Sequence, residues 1–147
     1  MTSVDGTKPI NFPVEASLAT FTQEGLVLKN TSNTLTPVTA KGDLGHAVLD
    51  QAFVDESQTA KTTASGDKLG VFFIGSGAVV RMASQTTLTW AFGDTVFISD
   101  ASNGMVRNAT ETNSRPIGHY VGEGETTTAD GDLINVILDV AVGASTA

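Results

Sequence analysis

The sequence predicts an all-β fold, and three features carry that reading. Charged residues make up only 16% of the chain while Thr, Ser, Gly and Asn abound, a balance that suits pleated strands and turns better than helices. Four runs are dense in β-branched or aromatic residues: Val71–Ile74, Ala78–Met82, Thr95–Ser99 and Leu133–Val140. Gly-Asp and Asn-Gly pairs punctuate the chain between them. At 147 residues the chain suits one domain with a modest core.

Residues 1–22 form an extended N-terminal arm in this reading, with the β-domain over 23–147. Pro9 and Pro13 flank Ile10 and Phe12, and proline fixes φ, removes a donor and biases its predecessor towards extended geometry. Too few apolar residues are present for the arm to order alone, so it is either free or laid along another surface. The alternative is an edge strand of the same domain. From Gly25, Leu26 and Leu28 alternate against Val27 and Lys29, a turn falls at Asn30–Asn33, and Leu35–Val38 returns, which predicts a hairpin. Val48–Glu56 has weak helical character, and Asp55–Asp67 reads as a polar loop. Phe92-Gly93-Asp94 enters a strand, and Asp100–Gly104 leads to Met105-Val106-Arg107, a hairpin closed by three to five residues with Gly104 at positive φ. In the last run Ile134, Val136, Leu138 and Val140 share one face, with Asn135 and Asp139 on the other.

There is an internal echo. Leu44-Gly45-His46-Ala47-Val48 resembles Ile117-Gly118-His119-Tyr120-Val121, and each precedes a Gly-Asp turn, Gly66-Asp67 or Gly131-Asp132, that leads into an apolar strand. Two copies imply paired β units; matches this short also arise by chance.

The net charge of -8, with eight Lys and Arg scattered singly, argues against a nucleic-acid partner, which requires clustered cations. No apolar run approaches a membrane span, and the first residues lack a secretory pattern, so the chain reads as soluble where it is made. With no Cys, disulfides and thiolate metal sites are excluded.

Taken in order, Gly45–Val48, Gly66-Asp67, Leu69–Phe72, Phe92–Phe97, Asn103–Val106, Ile117–Val121 and Gly131–Val136 resemble the small capsid cement (decoration) proteins of tailed bacterial and archaeal viruses. The likeness spans about residues 21–140. It implies a small β-barrel-like or β-tulip domain that binds the outside of a capsid shell, often as a homotrimer, with a terminal arm engaging the major capsid protein. It also implies manufacture in the host cytoplasm and residence on the virion's outer surface. Pro9, Ile10, Phe12 and Pro13 are then the capsid-binding arm residues. His46 and His119 depart from the family pattern, where small or apolar residues are expected. Cementing needs many weak contacts multiplied by symmetry rather than an active site, and open strand edges become useful if a neighbour's segment pairs with them.

Catalytic and cofactor chemistry has little footing. Gly75-Ser76-Gly77 lacks the third glycine of a dinucleotide fingerprint, and no Gly-x-Ser-x-Gly elbow occurs. Trimeric all-β pyrophosphatases acting on dUTP need Asp-Tyr-Arg-Gly and Arg-Ser-Gly type segments, whereas Tyr120 sits in His-Tyr-Val. His46 and His119 share parity with Leu44, Val48, Ile117 and Val121 and would bind metal if they met across a pseudo-symmetric core; the simpler reading has each satisfied by a carbonyl or exposed at a subunit contact. Asp130, Asp132, Glu123 and Glu125 form an acidic stretch without the calcium loop's spacing, which reads as a solvated turn. The alternative function is a β-sandwich module binding carbohydrate or a host surface, with Trp90 and Tyr120 as the stacking platforms; the parity of Trp90 with Leu88 favours core burial instead.

Overall fold

The computed structural model describes residues 4–13, 23–50, 67–99, 104–110 and 112–141. All regular structure among them is β, as predicted: β1 (Ile10–Pro13), β2 (Val27–Thr31), β3 (Thr34–Pro37), β4 (Ala47–Leu49), β5 (Lys68–Phe73), β6 (Val79–Ser84), β7 (Thr89–Trp90), β8 (Thr95–Ile98), β9 (Val106–Arg107), β10 (Pro116–Tyr120), β11 (Glu125–Thr126) and β12 (Asp132–Ile137). The four apolar runs supply the main bodies of β5, β6, β8 and β12.

The strands form two units. The first is a five-stranded sheet in the order β1-β5-β4-β2-β3, with edge strands β1 and β3 lying against each other. The second is a closed barrel, β10-β12-β6-β9-β8, sealed by a parallel pairing of Ser84 with Val106; β7 and β11 make a small ribbon beside it.

The two units repeat one topology. Replacing β1, β5, β4, β2 and β3 in turn by β6, β12, β10, β8 and β9 converts the first strand order into the second. Backbone hydrogen bonds set the register. Gly25 N–H donates to the Leu49 carbonyl and Leu49 N–H to Leu26, just as Gly93 donates to Tyr120 and Tyr120 to Asp94. Asp50 N–H donates to Gly70 as Val121 does to Asn135. Gly25 thus matches Gly93, Leu49 matches Tyr120, and Gly70 matches Asn135. The echo noted in the sequence falls on the corresponding strands β4 and β10 but is displaced by two residues, since it sets Ala47 rather than Leu49 against Tyr120. A shift of two preserves the side-chain alternation, so the pattern survives it.

Corresponding residues fill corresponding interiors. Leu28, Leu35, Leu49 and Val71 pack in one cluster, and Val96, Val106, Tyr120 and Val136 in the other. The opposite faces of β2, β4 and β5 are apolar too: Val27, Val48 and Phe72 join the barrel's cluster. That is why Leu26-Val27-Leu28 and Ala47-Val48-Leu49 read as continuous apolar runs, for these strands are covered on both sides.

The β2–β3 hairpin turns on Ser32 and Asn33, with φ of 51° and 66°, and the Asn30 side chain accepts the Asn33 N–H. In the β8–β9 hairpin Ser99 N–H donates to the Met105 carbonyl; residues 100–103 lie outside the described residues. Gly104 has φ +75°, as predicted, and a Cβ there would sit 3.1 Å from Leu26. Gly104→Val should therefore cost roughly 1–3 kcal/mol in urea unfolding; an unchanged midpoint would contradict this geometry.

Two expectations change. Val48 and Leu49 belong to β4, so no helix starts there, because each side chain is needed in a different core cluster; residues 51–66, with most of the expected loop, lie outside the described residues. Within the expected N-terminal arm, β1 takes the alternative reading of an edge strand: it pairs antiparallel with β5, Ile10 opposite Val71 and Pro13 opposite Lys68. Phe12 meets Phe73 edge-on at 5.9 Å, and Val4 N–H donates to the Val79 carbonyl. Residues 14–22 lie outside the described residues.

Candidate functional site

The four arm residues divide by role. Phe12 turns inwards to Phe73 and the first core, and Pro9 covers Gly70, where a Cβ would approach its ring to 3.2 Å. Ile10 stays 54% exposed and borders a shallow apolar groove of about 70 Å³ lined by Thr7, Lys8, Val71, Phe72 and Phe73. Val4, 58% exposed, is a second large apolar side chain left open on this segment.

The outward edge of β1 is unsuited to strand addition. In the ladders Ile10 faces Val71 and Val80 faces Val136, so Ile10 corresponds to Val80, and Pro9, Asn11 and Pro13 correspond to Val79, Arg81 and Ala83. Val79 and Ala83 donate their N–H groups to Asp5 and Gly25 rather than to β12. On β1 those two outward positions are proline, which has no N–H, and this protects the edge. A contact made through this strand would therefore rest on its side chains.

The most exposed large apolar side chain among the described residues is Phe92, at 77%. It caps a tight turn between β7 and β8. Asp94 accepts the Ala91 N–H at 2.9 Å and returns its own N–H to the Ala91 carbonyl, Gly93 supplies φ +88°, and Asn108 ties the turn to the Thr89 carbonyl at 2.7 Å. Beneath it Trp90 and Tyr120 lie 5.7 Å apart, both buried, with the indole N–H donating to Ser84 Oγ at 3.1 Å. The Tyr120 hydroxyl donates to Glu125 and is held above its ordinary pKa, chiefly by burial, with the Glu125 and Glu123 carboxylates adding to the effect against the Gly124 N–H. Both stacking platforms of the carbohydrate alternative are thus interior, Trp90 as its parity indicated. Phe92 escapes a reading of the sequence because Phe92-Gly93-Asp94 has the form of an approach to a strand; the available signal is a large aromatic placed in a Gly-Asp turn.

The histidines do not act together. His46 Nδ1 lies 2.9 Å from the Leu44 carbonyl, and His119 Nδ1 lies 2.8 Å from Asp139. The expected parity of His119 with Ile117 fails because β10 shifts register against β8 between Pro116 and Gly118, so that Ile117 and Tyr120 both point inwards and His119 faces outwards. Among the described residues no group of three His, Cys, Asp or Glu side chains is placed to hold a metal ion. No helix among them is long and apolar enough to cross a membrane.

The acidic stretch forms turns. Asp132 accepts the N–H groups of Thr128 and Ala129 at 2.7 and 3.0 Å, and Asp130 accepts that of Thr86. The same turn occurs at Thr39-Ala40-Lys41-Gly42-Asp43, where Asp43 accepts Thr39 and Ala40 at 2.8 and 3.1 Å and pairs with Lys29 at 2.9 Å. Partial burial pushes Asp43 up in pKa, but Lys29 and the two N–H groups outweigh it and hold the carboxyl below 3.8; for Asp132 the Thr128 and Ala129 N–H groups do the same. A depressed folded pKa confers stability that is present above the unfolded value and lost as pH falls through the folded one. Asp43→Ala should thus be less stable by about 1 kcal/mol at neutral pH, and its gap from the parent should close as pH drops below 3.8. A gap constant down to acid pH would contradict the charge's role.

What the site offers chemically is surface: exposed apolar side chains at Val4 and Ile10, and a braced aromatic at Phe92. No protein-family model matches this chain, and no curated protein shows significant similarity to it.

Proposed function

We propose that this protein is a non-enzymatic capsid decoration (cement) protein that binds the outer surface of a shell of major capsid protein and stabilises it, with copies of itself as further partners. The observation that carries the reading is the N-terminal segment, which is tied to the β-domain through Val4 and the edge strand β1 yet leaves the Val4 and Ile10 side chains open, two of the four exposed large apolar side chains among the described residues. The resemblance of its order of turns and strands to that of the cement proteins supports it. The candidate histidines and carboxylates, spent on carbonyls, turns and one His–Asp pair, fit a protein whose work is contact.

The test is pelleting of purified protein with shells assembled from the major capsid protein of the same genome. The parent should co-pellet saturably, and a Val4→Asp/Ile10→Asp double variant should bind about tenfold or more weakly with an unchanged circular dichroism spectrum. A parent that stays in the supernatant overturns the function; a variant that binds like the parent overturns the role of the N-terminal edge.

A further inference from the structure

The docking of one unit on the other provides a template for a contact between molecules. The turn that enters the first unit, Gln23-Glu24-Gly25, rides over the open edge of β6. Gly25 accepts the Ala83 N–H at 3.0 Å, a Cβ on Gly25 would fall 2.7–2.8 Å from the backbone of Arg81, Met82 and Ala83, and Glu24 pairs with Arg81 at 3.0 Å. By the register correspondence, the second unit's version of this turn is Ala91-Phe92-Gly93, and the first unit's version of the β6 edge is Ile10–Pro13 of β1. Among the described residues neither receives its counterpart: a Cβ on Gly93 would meet nothing within 4 Å, and Phe92 and Ile10 are exposed.

We propose that the Phe92 turn of one molecule docks on the β1 edge of a second copy, along Asn11–Pro13 with Ile10 at its border, repeating between molecules the contact that joins the units inside one. The two surfaces have changed together. Where the internal contact has Glu24 and Arg81, the external one has Phe92 and Asn11, so both members of the ion pair are replaced and neither surface is left with an unmatched charge. An apolar groove adjoins Ile10 at the start of this edge. Pro13 in place of Ala83 removes the backbone bond, which makes the external contact the weaker of the two. A net charge of -8 on each copy sets long-range repulsion against an apolar contact, so added salt strengthens association. The interface is head-to-tail, and its closure into a ring or its growth as a chain follows from the rotation per step. This inference rests on the self-association included in the proposed function, and because its test contains no shell, its failure is distinct from a failure of shell binding.

Sedimentation velocity over a concentration series tests it. The parent should self-associate, more strongly at higher salt. Phe92→Glu should weaken association by about tenfold or more, and Phe92→Glu with Asn11→Arg should restore it by rebuilding the Glu24–Arg81 pair between molecules. A mixture of Phe92→Glu with Ile10→Asp, each keeping one intact surface, should give one-to-one dimers and nothing larger. A parent that is monomeric at its solubility limit overturns the proposal, as does a Phe92→Glu variant that associates like the parent. Glycan binding lost on Phe92→Ala in a protein that remains monomeric overturns it in favour of sugar recognition.

Discussion

Gly25→Ala is expected to destabilise the protein by about 3 kcal/mol or more, although it adds a single methyl group. Three costs coincide. Gly25 holds φ +77°, where an L-residue is strained. Its new Cβ would overlap backbone atoms of β6, which cannot rotate aside as a flexible side chain does. Any retreat lengthens the 3.0 Å bond from Ala83 N–H and opens the seam between the units. Gly77→Ala is the control, for it has φ +76° and nothing within 4 Å, and it should cost only about 1 kcal/mol. Equal losses in urea unfolding would show that conformation alone matters and that the close approach to β6 does not.

The second large effect is expected at Trp90. Trp90→Ala should cost about 3–5 kcal/mol, because it empties the largest fully buried side chain from the barrel and leaves Ser84 Oγ without its indole donor. It also removes the support against which Tyr120 and the Phe92 turn are held. Trp90→Phe keeps much of the volume and loses only the hydrogen bond and part of the ring, so it should fall well short of that loss. If Trp90→Ala unfolded at the parent's denaturant midpoint, the packing described for this ring would be wrong.

Local signals in this chain were legible because they depend on few residues. The first hairpin is marked by Asn30, Ser32 and Asn33, residue types that turn readily, and the Gly104 turn follows from Asn-Gly chemistry. The face of β12 followed from strict alternation, and Ile134, Val136 and Leu138 are buried as that alternation required. What escaped depends on pairings between distant segments. The register shift at Pro116 and Gly118 reverses the side on which His119 emerges, and nothing in that stretch of sequence marks it. The fate of Ile10–Pro13 depended on whether β5 offered a free edge, which the segment's own letters do not state.

The duplication was half legible. The echo at Gly45-His46 and Gly118-His119 pointed to corresponding strands from residues that do not correspond one to one. A firmer signal lay beside it. Thr63-Ala64-Ser65-Gly66-Asp67 and Thr128-Ala129-Asp130-Gly131-Asp132 precede β5 and β12, and their closing aspartates stand at the same distance from Gly70 and Asn135, the residues that the ladders bring into register. Reading the turn as a five-residue unit instead of as Gly-Asp alone reveals the repeat without a structure. At Asp132 the closing aspartate satisfies two N–H groups of its own turn, as Asp43 does at the end of Thr39–Asp43.

Adhesion to a shell is the claim on which the functional account stands, and electron cryomicroscopy of shells incubated with the purified protein tests it most directly. Density for the β-domain seated on the outer face of the capsid protein, with Val4 and Ile10 at the contact, is the expected result. A shell surface that stays bare at saturating protein would contradict it.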